Sequence, residues 1–179
     1  MKSPPSATPD RAGPPPSFYR PDDYRPENSI GRLVRSLLVL MSTEVERGMA
    51  PLGLTDAQWL PLFKLHRAQA STSSEVAREC RIDAGATTRL LDRLAEKGFV
   101  QRNRSAEDRR VVNLELTPEG AATAEQIPAV LCQVQNELLR GFTQDEVDTL
   151  KALLERMLDN GQALQDAAQA IPQDLKEGA

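Results

Sequence analysis

The sequence predicts a mainly α protein that carries one short β-hairpin between its fourth and fifth helices. Three observations favour this fold class. Aromatic residues make up only 4% of the chain, apolar residues recur at helical spacing in six segments, and one segment instead alternates apolar with polar residues. The length of 179 residues suits one well-buried domain flanked by tails, and we expect that domain at 28–170.

The two ends of the chain differ in composition from the middle. Residues 1–27 hold eight of the thirteen prolines, which predicts a largely disordered arm with Phe18, Tyr19 and Tyr24 as candidate anchors at its end. Residues 171–179 are expected to form a flexible tail. No apolar run approaches the ~20 residues that span a bilayer, and prolines interrupt the apolar stretch that a secretory signal needs. We therefore expect a cytoplasmic protein without a membrane partner.

Helix boundaries follow from N-cap signals and apolar periodicity. The first helix is predicted at about 29–48, where apolar residues share one face. A capping box, in which a Ser or Thr and a Glu or Gln three residues later bond each other's backbone N–H groups, predicts the start of three further helices. These pairs are Thr55 with Gln58, Thr72 with Glu75, and Thr143 with Glu146. The fourth helix begins near Asp83 and ends before Gly98, and the fifth opens at Pro118.

The hairpin is predicted at about 99–117, because the apolar period changes there from that of a helix to that of a strand. Apolar and polar residues then alternate from Val112 to Leu116. The resulting order is helix-helix-helix-helix-β-hairpin-helix-helix, with a short turn between the third and fourth helices. This order predicts a winged helix-turn-helix. The fourth helix, at about 84–97, would be the recognition helix and the hairpin would be the wing.

The outer face of the fourth helix is predicted to be polar and available for binding. Leucines point inward, and the opposite face carries Gly85, Thr88, Arg89, Asp92 and Arg93. Arg89 is the best candidate for a bidentate contact with a guanine edge, and Thr88 for contact with a base or the backbone. Small residues in the first turn let the helix N-terminus, whose N–H groups favour phosphate, approach closely. An ordinary solvated face is the alternative interpretation.

The hairpin loop is rich in arginine, although the net charge of the chain is −4. Residues 99–110 contain four cations and two anions, whereas 141–179 contain three cations and eight anions, so the acidity lies away from the loop. The candidates for entering the narrow minor groove of DNA are Arg104, Arg109 and Arg110. Asp108 lies two residues before Arg110 and is expected to orient its guanidinium. A loop that is merely soluble is the alternative.

The residues that metal binding and catalysis need are scarce. Cys80 and Cys132 are far apart and are expected to be small buried side chains, and His66 is the only histidine. We therefore expect no metal site and no cofactor. The chain also has no phosphate-binding glycine motif and no visible nucleophile with a base, so an enzyme is not expected.

Residues 82–120 read IDAGATTRLLDRLAEKGFVQRNRSAEDRRVVNLELTPEG, and this segment resembles the signature region of the MarR family of winged-helix transcriptional regulators. The matching features, in order, are TRLLDRL in the recognition helix, the D-x-R of Asp108 and Arg110, and the closing Leu116-Thr117. LTDAQW before the second helix agrees as well. The helix layout extends the resemblance over about 29–168.

The resemblance implies a homodimer held together by the terminal helices, here about 29–48 and 118–168, beside a reading head at about 55–117. It implies a regulator, expected to be a repressor, whose two recognition helices enter successive major grooves of a pseudo-palindromic double-stranded DNA operator. The alternative function is a helical ligand-binding or adaptor protein that keeps the fold without binding an operator.

The resemblance also implies an effector, because many family members lose DNA affinity when a small aromatic acid or another lipophilic compound binds. The candidate effector residues are Arg32, Arg35, Trp59, Phe63 and His66. A lone histidine on an apolar stripe is more often a core residue, which is the alternative interpretation of His66.

Overall fold

The computed structural model describes residues 16–104 and 112–169. Within them the chain forms six α-helices and a two-stranded antiparallel sheet, which confirms the predicted fold class. The helices are α1 (Ile30–Met49), α2 (Asp56–His66), α3 (Ser73–Cys80), α4 (Ala84–Glu96), α5 (Pro118–Leu138) and α6 (Gln144–Gln169), and the strands are β1 (Val100–Arg104) and β2 (Val112–Leu116). None of the helices in the described ranges combines the length and apolar character that crossing a membrane requires. The described residues divide into two compact units, one up to Leu40 and one from Met41 onwards.

The first unit contains a segment that folds against the start of α1. The N–H of Ile30 donates to the hydroxyl of Tyr19 over 3.0 Å. The rings of Tyr19 and Tyr24 meet edge to face with their centroids 5.9 Å apart. Ser29 Oγ accepts from the N–H of Arg32, as an N-cap residue does. Two of the aromatic residues predicted as anchors therefore hold this segment in place.

Two helices expose large apolar side chains. On α1 these residues are between 44% and 63% exposed and comprise Ile30, Leu33, Val34, Leu37, Leu38, Val39 and Leu40. On α6 the corresponding residues are Leu153, Leu154, Met157, Leu158 and Leu164. Isolated exposed leucines are ordinary on a protein surface, but contiguous apolar stretches of this kind are typical of an interface.

The core of the second unit is formed mainly by α2, α3, α4 and α5. Among its fully buried side chains are Leu62, Val76, Leu91, Leu94 and Ile127. Burying a side chain of this size contributes roughly 1.5–3 kcal/mol. Because Leu91 and Leu94 belong to α4, the core holds one face of that helix and leaves the other in solvent.

The hairpin pairs along the full length of both strands, with Arg102 opposite Leu114. The connection between α2 and α3 adds to this sheet, because the N–H of Leu114 donates to Ser71 O over 2.8 Å and Thr72 forms a β-bridge with Asn113. Thr72 is also the N-cap residue of α3. The beginning of the helix-turn-helix is thus fixed to the hairpin.

The first turn of α5 closely approaches the start of β1. The N–H of Thr117 donates to Phe99 O, while its hydroxyl donates to Gly98 O and accepts from the N–H of Gly120. A Cβ atom at Gly120 would lie 1.9 Å from Phe99 O and 2.8 Å from the carbonyl carbon of Phe99. Only a residue without a side chain fits between the helix and the strand at this point.

One prediction about burial is wrong. Cys132 is exposed, whereas Cys80 is partly buried. On α5 the residues Leu131 and Val134 pack against the core. Because successive helical residues are turned by about 100°, Cys132 points away from both of them and into solvent.

Candidate nucleic-acid interface

The inner face of α4 is held in place by burial and by an N-cap. The carboxylate of Asp83 accepts from the N–H of Ala86 over 2.9 Å, which satisfies one of the N–H groups left unpaired at the helix start. Thr87, Leu91 and Leu94 are fully buried. The buried hydroxyl of Thr87 donates to Asp83 O, so it retains a hydrogen-bond partner. These contacts fix the rotation of α4 about its axis.

The other end of α4 is tied to the start of α2. Lys97 Nζ donates to Gly53 O and to Gln58 Oε1, each over 2.7 Å. Gln58 Oε1 also accepts from the N–H of Thr55 over 3.2 Å. The same amide oxygen therefore accepts hydrogen bonds from the start of α2 and from the residue that ends α4. The sequence did not predict this link between the two helices.

The outer face of α4 carries the four helix residues that the sequence predicts for DNA binding. Gly85, Thr88, Arg89 and Arg93 are all exposed. The hydroxyl of Thr88 donates to Ala84 O over 2.9 Å, so toward an external partner its oxygen can only accept. A Cβ atom at Gly85 would lie 3.8 Å from Arg89 Nη1, so the guanidinium extends over the first turn. Arg89 and Arg93 are one turn apart and put two cations on the same side.

A short turn, residues 81–83, connects α3 to α4. Arg81 closes α3 in the left-handed conformation, with a φ of 54°. This conformation costs a residue with a side chain about 1–2 kcal/mol, and glycine adopts it readily. Arg81 is exposed and adds a cation immediately before the N-terminus of α4. Sequence reasoning did not assign it to the site.

An ion pair joins the hairpin to α4. Arg102 Nη2 lies 2.6 Å from Asp92 Oδ1, and the two side chains are 40% and 45% exposed respectively. The neighbouring residues on β1, Gln101 and Asn103, instead donate to Glu115 on β2. Sequence reasoning counted Arg102 among the cations of the hairpin and put Asp92 on the polar face of α4. It missed their pairing, which depends on the register of the strands.

The other arginines predicted to contact DNA belong to the hairpin loop and the end of β1. Arg109 and Arg110, with the orienting residue Asp108, lie outside the described residues. The backbone of Arg104 is at the end of β1, opposite Val112. Their contacts with DNA therefore stay predictions.

Among the described residues, three groups have shifted pKa values. Hydrogen bonds from the N–H and hydroxyl of Ser71 lower the pKa of Glu75, and those from Thr143 lower the pKa of Glu146. Burial raises the pKa of the Cys80 thiol, which favours its neutral form. No group of side chains in the described part of the chain is arranged to hold a metal ion.

Comparison with known proteins identifies the family. Residues 54–112, from the residue before Thr55 to the first residue of β2, match the sequence model of the MarR family. Over 130 residues the chain is 36% identical to the multiple antibiotic resistance protein MarR of Escherichia coli (strain K12), which covers 72% of this chain and 90% of that protein. This chain belongs to the MarR family. It is therefore a transcriptional regulator, and the prediction that it is not an enzyme is confirmed.

Solved structures of MarR-family proteins share the fold of this chain. A mutant of E. coli MarR complexed with operator DNA superposes with a TM-score of 0.65 at 36% identity, covering 72% of this chain and 92% of that chain. The complex of S. aureus MepR with DNA gives a TM-score of 0.68 at 22% identity, covering 74% and 98%. At its lower identity, the MepR similarity supports the fold alone.

The effector residues predicted for this MarR-family chain belong to both compact units. Trp59, Phe63 and His66 are partly buried on α2, and the rings of Phe63 and His66 are stacked with centroids 6.4 Å apart. Arg32 and Arg35 belong to the first unit and are exposed. Phe63 and Trp59 pack against the core, which agrees with the alternative that this stripe is structural. An effector site built from these five residues stays a prediction.

Proposed function

We propose that this protein is a homodimer that binds a pseudo-palindromic double-stranded DNA operator through α4 and represses transcription until a small effector releases it. The observation that carries the proposal is the division of α4 into a fully buried inner face and an exposed face with Thr88, Arg89 and Arg93. A helix of this kind fits the major groove, where arginine can donate two hydrogen bonds to one guanine. The E. coli relative crystallised with operator DNA supports the proposal.

Each residue of the outer face has a distinct role in this proposal. Arg89 reads a guanine edge, and the hydroxyl oxygen of Thr88 accepts from a base amino group such as that of adenine or cytosine. Arg93 contacts a phosphate, and Gly85 lets the backbone of the first turn approach another one. The sequence adds Arg104, Arg109 and Arg110 as minor-groove contacts, with Asp108 orienting Arg110.

Dimerisation is supported by the exposed apolar side chains of α1 and α6. These helices fall in the two segments predicted to form the dimer, about 29–48 and 118–168, and a monomer would leave their apolar surface in water. A two-fold axis would present two reading heads, each at about 55–117, to the two halves of an operator. The half-sites would then be about 34–36 Å apart, one turn of B-DNA.

The proposed effector is a small aromatic acid or lipophilic compound. The rings of Trp59 and Phe63 offer apolar surface, and the candidates to receive a carboxylate are His66 and the cations Arg32 and Arg35. A compound that binds better to one spacing of the reading heads would shift the protein toward that spacing and change its affinity for DNA. Such a regulator would act in the cytoplasm, where its operator is.

A gel-shift assay with the DNA upstream of this protein's own gene tests the proposal. Arg89→Ala should cost about 1–3 kcal/mol of binding free energy and relax the sequence preference. Arg140→Ala is the matched control, because Arg140 is exposed but lies outside α4 and pairs with Glu137. Light scattering tests the dimer, and a panel of aromatic acids added to the shifted complex tests the effector. Failure to bind at low salt would contradict the proposal and favour the adaptor function.

A further inference from the structure

The ion pair between Asp92 and Arg102 connects the two elements that the proposed function brings to DNA. Asp92 lies on α4 between the proposed DNA contacts Arg89 and Arg93. Arg102 lies in the middle of β1, opposite Leu114. Val100 and Leu114 are buried, so strand alternation places Arg102 on the side of the hairpin that packs toward the core and α4.

A carboxylate on this face of α4 is unfavourable for DNA binding unless a cation compensates it. An unpaired Asp92 would repel the phosphates that Arg89 and Arg93 attract. Arg102 Nη2 lies 2.6 Å from Asp92 Oδ1, so the two opposite charges are in direct contact and largely compensate each other. A guanidinium engaged in this ion pair is directed toward α4 and is less available to contact the DNA backbone.

Backbone hydrogen bonds and the other face of the sheet hold the rest of the hairpin. The N–H of Leu114 donates to Ser71 O, which fixes the middle of β2 to the connection before α3, and Phe99 O accepts from the N–H of Thr117, which fixes the base of the hairpin to α5. On the other face, the side chains of β1 donate to Glu115 within the hairpin itself. Arg102 therefore provides a direct charged link from the body of the hairpin to the recognition helix.

We propose that the ion pair between Asp92 and Arg102 sets the angle between the hairpin and α4, so that both meet one DNA duplex, and that Arg102 makes no phosphate contact. Asp92 and Arg102 are then positioning residues for operator binding. This inference rests on the proposed function, because it assigns the pair a role in the same interface.

A double-mutant cycle on the full-length protein tests the inference. Asp92→Asn and Arg102→Met are each expected to weaken binding to the upstream DNA by about 3- to 5-fold, the range for a half-exposed pair. The double variant should bind no more weakly than either single variant, and the exchanged pair Asp92→Arg with Arg102→Asp should recover most of the affinity. The dependence of the binding constant on salt should be the same for Arg102→Met as for the unaltered protein.

Three outcomes would overturn the inference. Losses that multiply in the double variant would show that the two residues act independently. A salt dependence that is shallower by about 0.9 in Arg102→Met would show that Arg102 neutralises a DNA phosphate directly. Glu79→Gln, on α3, breaks two other ion pairs, those with Lys64 and Arg78, and an equal loss of affinity in this control would show that the effect is one of general stability.

Amide hydrogen exchange, measured on the protein without DNA, tests the link between hairpin and helix independently of operator binding. Asp92→Asn and Arg102→Met should accelerate exchange of the amides in β1 and β2 by similar factors, and unchanged exchange would overturn the link between hairpin and helix. A protein that binds no DNA at low salt would overturn the proposed function and the operator role of the pair. Faster exchange in both variants would still support the link itself.

Discussion

Replacing Gly120 with alanine should destabilise the protein, because the added methyl group would collide with backbone atoms. The nearest of these, Phe99 O, would be 1.9 Å away, about 1.5 Å closer than an ordinary van der Waals contact. Phe99 O cannot move aside freely, since it accepts the N–H of Thr117. Overpacking that shifts the backbone costs about 1–3 kcal/mol, and the better helix propensity of alanine offsets up to ~1 kcal/mol of this. We expect a net loss of about 1–2 kcal/mol in the free energy of unfolding.

Urea unfolding followed by circular dichroism, at one protein concentration, measures this loss. Ala57→Gly is the control for helix propensity, because Ala57 is exposed on α2 and lies outside the two segments proposed to form the dimer. We expect this control to lose about 0.5–1 kcal/mol. Adding that loss to the loss in Gly120→Ala gives the cost of the collision alone. A Gly120→Ala variant as stable as the unaltered protein would refute the reasoning.

Two further predictions concern the turn before α4 and the cap of α3. Arg81→Gly removes the cost of a left-handed side-chain residue and should raise the free energy of unfolding by about 0.5–1 kcal/mol in urea; a decrease would show that the side chain makes compensating contacts. Glu75 has a pKa below its ordinary value of 4.5, so it contributes stability above that pH that is lost as the pH falls. Glu75→Gln should make acid unfolding less steep below pH 4.5, and identical acid profiles would contradict this.

The features that sequence predicts well are those encoded by neighbouring residues. The pairs Thr72 with Glu75 and Thr143 with Glu146 are each three residues apart, and both form the expected hydrogen bonds. The inner and outer faces of α4 follow from periodicity alone, because burial of every third or fourth residue decides which side faces the core.

The features that sequence misses depend on how distant segments meet. Arg102 is one of several arginines in the hairpin, and only the strand register determines that it faces Asp92. The bond from Leu114 to Ser71 joins two backbones and leaves no side-chain signature. Arg81 adopts the left-handed conformation, which glycine usually occupies at the end of a helix. Because the residue is an arginine, the sequence gives no sign of this turn. Cys132 illustrates the same limit, because an apolar residue type does not reveal the direction in which a helix position points.

The connection between α2 and α3 should accept inserted residues in its first part, 67–69, more readily than in its second part, at Ser71 and Thr72. Residues 67–69 are exposed and their N–H groups bond to carbonyls in the last turn of α2, so an extra residue or an inserted reporter there would loosen the end of that helix but extend into water without shifting the pairing of the sheet. An insertion at Ser71 or Thr72 would instead shift the pairing with Leu114 by one position and remove the cap from α3 at the same time. A fluorescent or affinity label meant to leave the regulator intact therefore belongs at 67–69, and length variation among related chains that share this pairing should be concentrated there.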